Sequence, residues 1–441
     1  MVRKPDREAD ALRTPSEPLA AHNDDIRWLA LLCVARMGFS FVFTTYSAAL
    51  PLLKHDWLMS ATQAGVVQSA WHLGFLVSLF AVGFLGDRFG AKRTYLWSAV
   101  AASISALGFA VFASDFVSGA ILYGLAGLCS GGSYTPGLAL IAERFPPATR
   151  GRAMGIYLAA GSLAYALSVV LSSQLFPAGG WRLAFLANGS MPAVGLAVSI
   201  WVLHGTANII HDAPPGQEVW HAIPALLKNK PALLLMFAYT SHNWELLGMW
   251  AWLPAYLGAA AQALGGQAWA SGRAVEVGVF LSGLTYLTSM LGSLVGGDLS
   301  DRWGRSLTML LFACASLILS FSFGWMMGWS LSVLFVAAAC YNLASIADSS
   351  VNSTALTELV EPRYIGAAYA LRSVLGFGAG AVSPWVFGLV LDTVLGMPLS
   401  SERLAWGLAW TSLGLGALPG PLLILWLRRR PEAALMARGR R

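Results

Sequence analysis

Gly83-Phe84-Leu85-Gly86-Asp87-Arg88-Phe89-Gly90-Ala91-Lys92-Arg93 returns in outline 214 residues later as Gly297-Asp298-Leu299-Ser300-Asp301-Arg302-Trp303-Gly304. The shared frame is Gly-x-x-x-Asp-Arg-x-Gly. A second set repeats at an offset of 215: Glu143, Pro147 and Gly151 recur as Glu358, Pro362 and Gly366. Two unrelated features agreeing to within one residue mark an internal duplication. Small residues let a tight two-helix hairpin close, because Gly accepts positive φ and close backbone contact. Asp87 is placed to cap a neighbouring helix N-terminus or to pair with a loop arginine such as Arg150 or Arg152. Such a loop can clasp two halves together in one state and release them in another.

Outward from these loops the chain is apolar. Of its 441 residues 56% are hydrophobic and 11% charged, against about 25% charged in a soluble domain. A bilayer core of about 30 Å needs about 20 apolar residues per helix. Twelve windows meet this, at 28–53, 62–86, 94–113, 117–142, 153–176, 183–203, 232–257, 277–298, 307–327, 330–356, 366–391 and 405–427. They are too long, and too little alternating, for barrel strands. With the N-terminus inside, 22 of the 28 Lys and Arg fall on the inner side, as the positive-inside rule requires. The net charge of +6 therefore reflects membrane topology and not nucleic acid. Residues 1–25 read as a disordered cytoplasmic tail without a signal-peptide core. The longest internal polar stretch, 205–230, contains His211-Asp-Ala-Pro-Pro-Gly and reads as a cytoplasmic linker. It separates six-helix units at 26–204 and 231–427, and a basic cytoplasmic tail follows at 428–441. Cys33, Cys129, Cys314 and Cys340 all fall within spans and read as small packing residues, with neither disulfide nor zinc spacing.

At the twin loop motif the sequence resembles the major facilitator superfamily, over about residues 26 to 430. Gly180-Trp-Arg-Leu-Ala-Phe185, leading into span six, is similar to the family as well. The resemblance implies an all-α membrane protein of twelve transmembrane helices in two pseudo-symmetric six-helix bundles. The bundles rock about a central cavity lined by spans one, four, seven and ten, each half holding inverted three-helix repeats. Gly83, Asp87, Arg88 and Gly90, with Gly297, Asp301, Arg302 and Gly304, become the gating motif. Two departures bear on function. Proton-driven drug exporters of the family carry an arginine early in span four and a Gly-Pro pair in span five. Here Ile121-Leu-Tyr-Gly-Leu-Ala and Ala159-Ala-Gly-Ser-Leu-Ala-Tyr165 offer neither, which demotes drug antiport. Nitrate and nitrite porters use arginines in spans two and eight, and these spans hold none.

Ionisable groups at membrane depth cost roughly 2.5–3.5 kcal/mol each on insertion scales, so each calls for a reason. Arg36 lies about 15 Å into span one at 1.5 Å per residue, and Ser40, Thr44 and Ser47 follow at helical spacing. This stripe reads as cavity lining; a snorkelling arginine at the inner interface is the alternative. His242 and Glu245 share a face of span seven, and burial favours a neutral Glu245 that could take up and release a proton. A glutamate held permanently by His242 or Arg36 is the other option. A metal site from His242 and Glu245 lacks further ligands. Span ten carries Asn342, Ser345, Asp348, Ser349 and Asn352 as a stripe. Either Arg372 of span eleven pairs structurally with Asp348, or Arg36 and Arg372 both face the cavity and clamp a carboxylate. Substrate contacts are thus expected from Arg36, His242, Asn342 and Arg372, and proton coupling from Glu245 and Asp348. His72 reads as a hydrogen-bonded core histidine. Gly131, Gly132 and Pro136 in span four, like Gly376, Gly378, Gly380 and Pro384 in span eleven, read as close-contact or flexible points.

These features point to a secondary transporter that moves a small, carboxylate-like organic anion by alternating access, with protons as coupling ion. The alternative within transport is an exporter of amphipathic compounds. A membrane-embedded enzyme lacks any nucleotide loop, zinc run or soluble domain, and a sensor would add a longer cytoplasmic segment. No cofactor, metal or nucleic acid is expected. A monomer in the cell membrane is, with both termini cytoplasmic; in a bacterium this is the inner membrane.

Overall fold

The computed structural model describes residues 18–210, 219–265, 271–361 and 364–439. Those residues are helical almost throughout, with no strand among them. In order come α1 (Pro18–Asp56), α2 (Ala61–Phe89), α3 (Ala91–Phe112), α4 (Phe116–Ser130), α5 (Thr135–Arg144), α6 (Pro147–Leu203) and α7 (Val219–Lys228). Then follow α8 (Lys230–Gly265), α9 (Ser271–Trp303), α10 (Arg305–Ser322), α11 (Leu331–Leu359), α12 (Ile365–Leu395), α13 (Glu402–Ala417) and α14 (Pro419–Arg429). Ten helices among the described residues are long and apolar enough to cross a membrane. One of the ten runs Thr149–Leu203 and is broken at Gly179 and Gly180, so it supplies spans five and six. Helix α8, of 36 residues, covers the expected window 232–257 but is not among those ten.

Helix ends follow local chemistry. Ser60 and Gln63 form a capping box at the start of α2, and Asp115 and Ser118 do so for α4, each satisfying amides the first turn leaves open. The last glycine of each loop motif turns the chain through positive φ: Gly90 at φ 86°, ψ 152° and Gly304 at φ 94°, ψ 154°. Only Gly adopts such angles without a Cβ penalty. The duplicated loops thus share one backbone conformation, and the motif's terminal Gly has a stereochemical cause. Between spans five and six Gly180 takes φ 60°, while Trp181 donates its indole N–H to Asp56 over 2.9 Å, fastening the turn to the end of α1.

Three expectations change. The polar tail expected through Asp25 is helical from Pro18, as the first turns of α1; residues 1–17 lie outside the described residues. The linker expected at 205–230 contains the helix α7, and its His211-Asp-Ala-Pro-Pro-Gly run also lies outside them. Of the four free cysteines, Cys33 is buried but Cys340 is exposed on the rim of the bundle, so not all are packing residues. Span four behaves as its glycines suggest: it unwinds into a short tight turn at Gly131–Ser133, where Gly131 N–H donates to Ser78 Oγ over 3.1 Å. Span eleven remains one helix through Pro384.

The halves meet along α2 with α12, α6 with α9, and α1 with α8. Contact is closest at the end away from the termini. A Cβ at Gly65 would lie 2.8 Å from the carbonyl carbon of Pro384, and one at Gly283 would lie 2.8 Å from Val170 Cγ2. At the same end Asp392 accepts the backbone N–H of Ala61 (2.9 Å) and of Thr62 (2.7 Å) at the start of α2. This caps α2 from the other half and favours a carboxylate there. At the end carrying the termini, Gly83, Gly86, Gly151, Gly155, Gly297 and Gly366 would meet nothing within 4 Å. The halves are shut at one end and parted at the other.

Candidate functional site

The unwound turn of α4–α5 determines how Arg36 is held. It presents the Ser133 hydroxyl, which accepts from Arg36 Nη1 over 2.6 Å. The Ser133 carbonyl accepts the Tyr157 phenol over 2.5 Å. The Arg36 guanidinium stands 5.6 Å from the ring centroids of both Tyr134 and Tyr157. Arg36 is 7% exposed, its Nε has no hydrogen-bond partner, and no carboxylate pairs with it among the described residues. A guanidinium taken out of water without a counter-charge is costly, so this site is poised to receive an anion. The snorkelling alternative fails, because the side chain is buried among three helices. Ser40 and Ser47 close on carbonyls of their own helix, while Thr44 donates to Tyr165 O over 3.1 Å.

The offset of 215 that relates the loops also relates Ser133 to Asp348 and Tyr157 to Arg372. The second half reuses these places with different chemistry. His242 Nδ1 lies 3.0 Å from Asp348 Oδ1, close enough for an ion pair when the imidazole is protonated. Its Nε2 is 3.2 Å from Ser349 Oγ. Protonation of His242 would complete an ion pair across α8 and α11. Arg372 does not pair with Asp348. It donates to Ser353 Oγ (2.8 Å) and Asn352 Oδ1 (3.4 Å) and stacks over Tyr239 at 4.2 Å and Tyr369 at 4.7 Å. Arg372 is 4% exposed, and its Nε also lacks a partner.

Two expected residues face elsewhere. Glu245 shares a helix with His242, yet its carboxylate accepts from Ser316 (3.1 Å) and Ser320 (2.6 Å) of α10. Neither His242 nor Arg36 holds it. Asn342 spends its amide inside the second half, accepting from Trp250 Nε1 and Ser289 Oγ and donating to Thr285 Oγ1 and Ala338 O. It does not border the cavity. His72 sits beside Gln68, Nε2 to Nε2, at 3.3 Å and is fully enclosed, although its Nδ1 finds no partner.

Between the halves lies a cavity of about 190 Å³ to which α1, α2, α4–α5, α6, α8, α11 and α12 contribute. Arg36 lines it directly; His242 reaches it through Ser349 and Arg372 through Tyr239. Tyr134, whose ring stands beside the Arg36 guanidinium, lines it as well. Toward the shut end the cavity is closed by rings from both halves, with Phe43 and Tyr165 against Trp250 at centroid distances of 5.8 and 5.6 Å. The sequence reading missed Tyr134, Tyr239 and Asn243, neutral residues that look like ordinary core.

The two loop motifs differ in what secures them. In the second half Arg305 binds Asp301 (2.5 Å), Ser300 (2.6 Å) and Glu358 (3.2 Å). Glu358 in turn accepts Ala437 N–H from the C-terminal segment over 3.0 Å. In the first half Asn208 secures the loop, accepting from Arg93 N and donating to Phe89 O. Asp87 is exposed, and neither the helix cap nor the Arg150 or Arg152 pairing expected for it forms. The contacts named here each join residues of one half.

A two-fold repeated helical membrane protein, with a cavity at the joint and one end of that joint shut, is an alternating-access transporter in its architecture. The family description Major Facilitator Superfamily matches residues 32–384, and the chain belongs to that superfamily; it is a membrane transporter and not an enzyme. The chain is 24% identical to the hexuronate transporter of Bacillus subtilis (strain 168), over 82% of this chain and 87% of that one. It is 26% identical to the gallate transporter of Pseudomonas putida, over 93% of each. Among solved structures, a mutant nucleoside transporter superposes with a TM-score of 0.74 at 13% identity, over 91% of this chain and 99% of that one. A bacterial homologue of the human lysosomal transporter Spinster, inward-facing and unoccupied, gives 0.71 at 15% identity, over 95% and 98%. At these identities the structures establish the fold.

Proposed function

We propose that this monomeric protein carries a small organic anion, of carboxylate type, across the cytoplasmic membrane by alternating access coupled to protons. The observation that carries the proposal is Arg36: buried at the joint, bound only to a serine hydroxyl, with Nε unmatched. A carboxylate offers two acceptors in the plane of a guanidinium and supplies the missing charge. Arg372, behind Tyr239, adds a second positive charge to the same wall. The named solutes of two relatives, hexuronate and gallate, are organic acids.

Positive-inside asymmetry puts the termini and both loop motifs in the cytoplasm, so the parted end faces inward. For coupling, the His242–Asp348 pair lies one hydrogen bond from the cavity through Ser349. Glu245, three residues further along α8, is held by hydroxyls of α10. Proton uptake at the pair would break or make an ion pair between two cavity-lining helices, and Glu245 would exchange its proton at a distance. The test is uptake of labelled organic acids into liposomes with an imposed pH gradient. Arg36→Gln is expected to abolish binding and exchange alike. Asp348→Asn is expected to abolish gradient-driven accumulation while sparing exchange, and Glu245→Gln to do the same. Uptake unchanged by Arg36→Gln defeats the anion reading; accumulation unchanged by both acid variants removes protons from the cycle.

A further inference from the structure

We propose that the anion this cavity admits is a planar aromatic carboxylate, bound with its carboxylate on Arg36 and its ring in the aromatic wall beneath the shut end. The proposal rests on the anion reading above and narrows it. Nine of the twenty lining side chains are aromatic, in a chain that is 12% aromatic, so the lining is several times richer in rings than the molecule.

The rings are arranged as a receptor and not as a random patch. Phe43 meets Trp71 at 4.7 Å edge-on and Tyr165 at 4.6 Å tilted. Trp71 stacks on Phe75 at 5.0 Å and 13°, and Phe75 meets Phe377 of the other half edge-on at 5.3 Å. The wall combines stacked, tilted and edge-on ring pairs, the geometries in which a further aromatic ring gains beyond simple burial. The polar lining points the same way. Hydroxyls of Ser40, Ser130 and Ser133 donate to backbone carbonyls; Ser349 is engaged with His242, and Asn243 Nδ2 donates to Tyr239 O. What remains for a guest is the Arg36 edge, the Ser162 hydroxyl, the Asn243 Oδ1 and the phenols of Tyr134, Tyr165 and Tyr239, few polar groups among nine rings. A polyhydroxylated acid would leave several hydroxyl groups against ring faces, each losing its water without replacement. An acid whose body is one flat ring, with at most a few ring hydroxyls near those phenols, loses none.

The full-length protein in lipid nanodiscs is titrated calorimetrically with benzoate, cyclohexanecarboxylate, glucuronate and benzamide. Benzoate is expected to bind at least about tenfold more tightly than cyclohexanecarboxylate or glucuronate, a difference of about 1.4 kcal/mol, and benzamide far more weakly than benzoate. Phe377→Leu and Phe75→Leu, which keep bulk but remove a ring face, are expected to bring benzoate to within about threefold of cyclohexanecarboxylate. Because Phe377 is only half buried this substitution leaves the core packing in place, and an unchanged glucuronate affinity verifies it. Equal affinity for benzoate and cyclohexanecarboxylate, or tightest binding of glucuronate, overturns the aromatic assignment and leaves the anion reading standing. Benzamide binding as well as benzoate overturns the anion reading and leaves the ring receptor. Failure of all four to bind overturns both.

Discussion

Gly65 offers a way to push the molecule out of the state seen here. It sits in α2 where α12 crosses, and a Cβ built on it would lie 2.8 Å from the carbonyl carbon of Pro384 and 2.9 Å from Trp385 Cα. Both are backbone atoms that no rotamer change can move. Overpacking of this kind costs about 1–3 kcal/mol. The contact joins the two halves at the shut end, so the penalty falls on the state described here and vanishes once that end opens. Gly65→Ala should therefore shift the equilibrium between states by about 5- to 150-fold. Spin labels on cysteines at His55 and Met397, exposed residues near the α1–α2 and α12–α13 turns, read the separation of the halves by electron–electron dipolar spectroscopy. With the native cysteines replaced, Gly65→Ala should add a longer-distance population, and Gly65→Val should enlarge it. Gly108→Ala, where a Cβ meets nothing within 4 Å, should leave the distribution alone. A folded Gly65→Ala protein with an unshifted distribution would refute the claim that close backbone contact at this crossing holds the state.

Gly304→Ala forces a Cβ onto φ 94° and should lower stability by about 1–2 kcal/mol, read as a lower melting temperature in detergent; an unchanged melting curve would deny the motif its conformational cause. Asp115 accepts the Ser118 backbone N–H and hydroxyl, which hold its carboxyl below the ordinary value of 3.8. That contribution to the start of α4 is present above the ordinary carboxylate range and disappears as pH falls through the depressed value. Protection of the Ser118 amide against hydrogen exchange, corrected for intrinsic rate, should fall in that acid window, and Asp115→Ala should remove the pH dependence. Glu358→Gln weakens the ties to Arg305 and Ala437, with a cost of about 1 kcal/mol for this part-exposed pair, and should hasten tryptic cutting after Arg428 and Arg429; equal cutting rates would show that Glu358 does not hold the C-terminal segment.

The apolar spans were legible because a bilayer imposes a length rule on every segment separately. Arg36 was legible for a similar reason: a membrane arginine is costly enough that one residue carries the signal. Partners were not. Helical spacing placed His242 and Glu245 on one face, but α8 is covered on nearly every side, and which neighbour covers which residue is decided by packing between helices. Hence His242 found Asp348 of α11 while Glu245 found serines of α10. Asn342 fell on the expected stripe and was nevertheless consumed by Trp250 and Thr285. Tyr134 gave no signal at all, since its position follows from the unwinding at Gly131–Ser133, which the glycines suggest without fixing its geometry.

The turn at Gly179 and Gly180 has a mechanical consequence. Only two residues leave helical geometry there, and Trp181 is tied to Asp56 just beyond, so there is no slack between the neighbouring spans. Traction on either arm reaches the other undiminished, as in a stiff crank, and α1 travels with both. A peptide tag spliced at this corner would act as a spring in that crank: the protein would still assemble, but part of each stroke would be lost in stretching the insert.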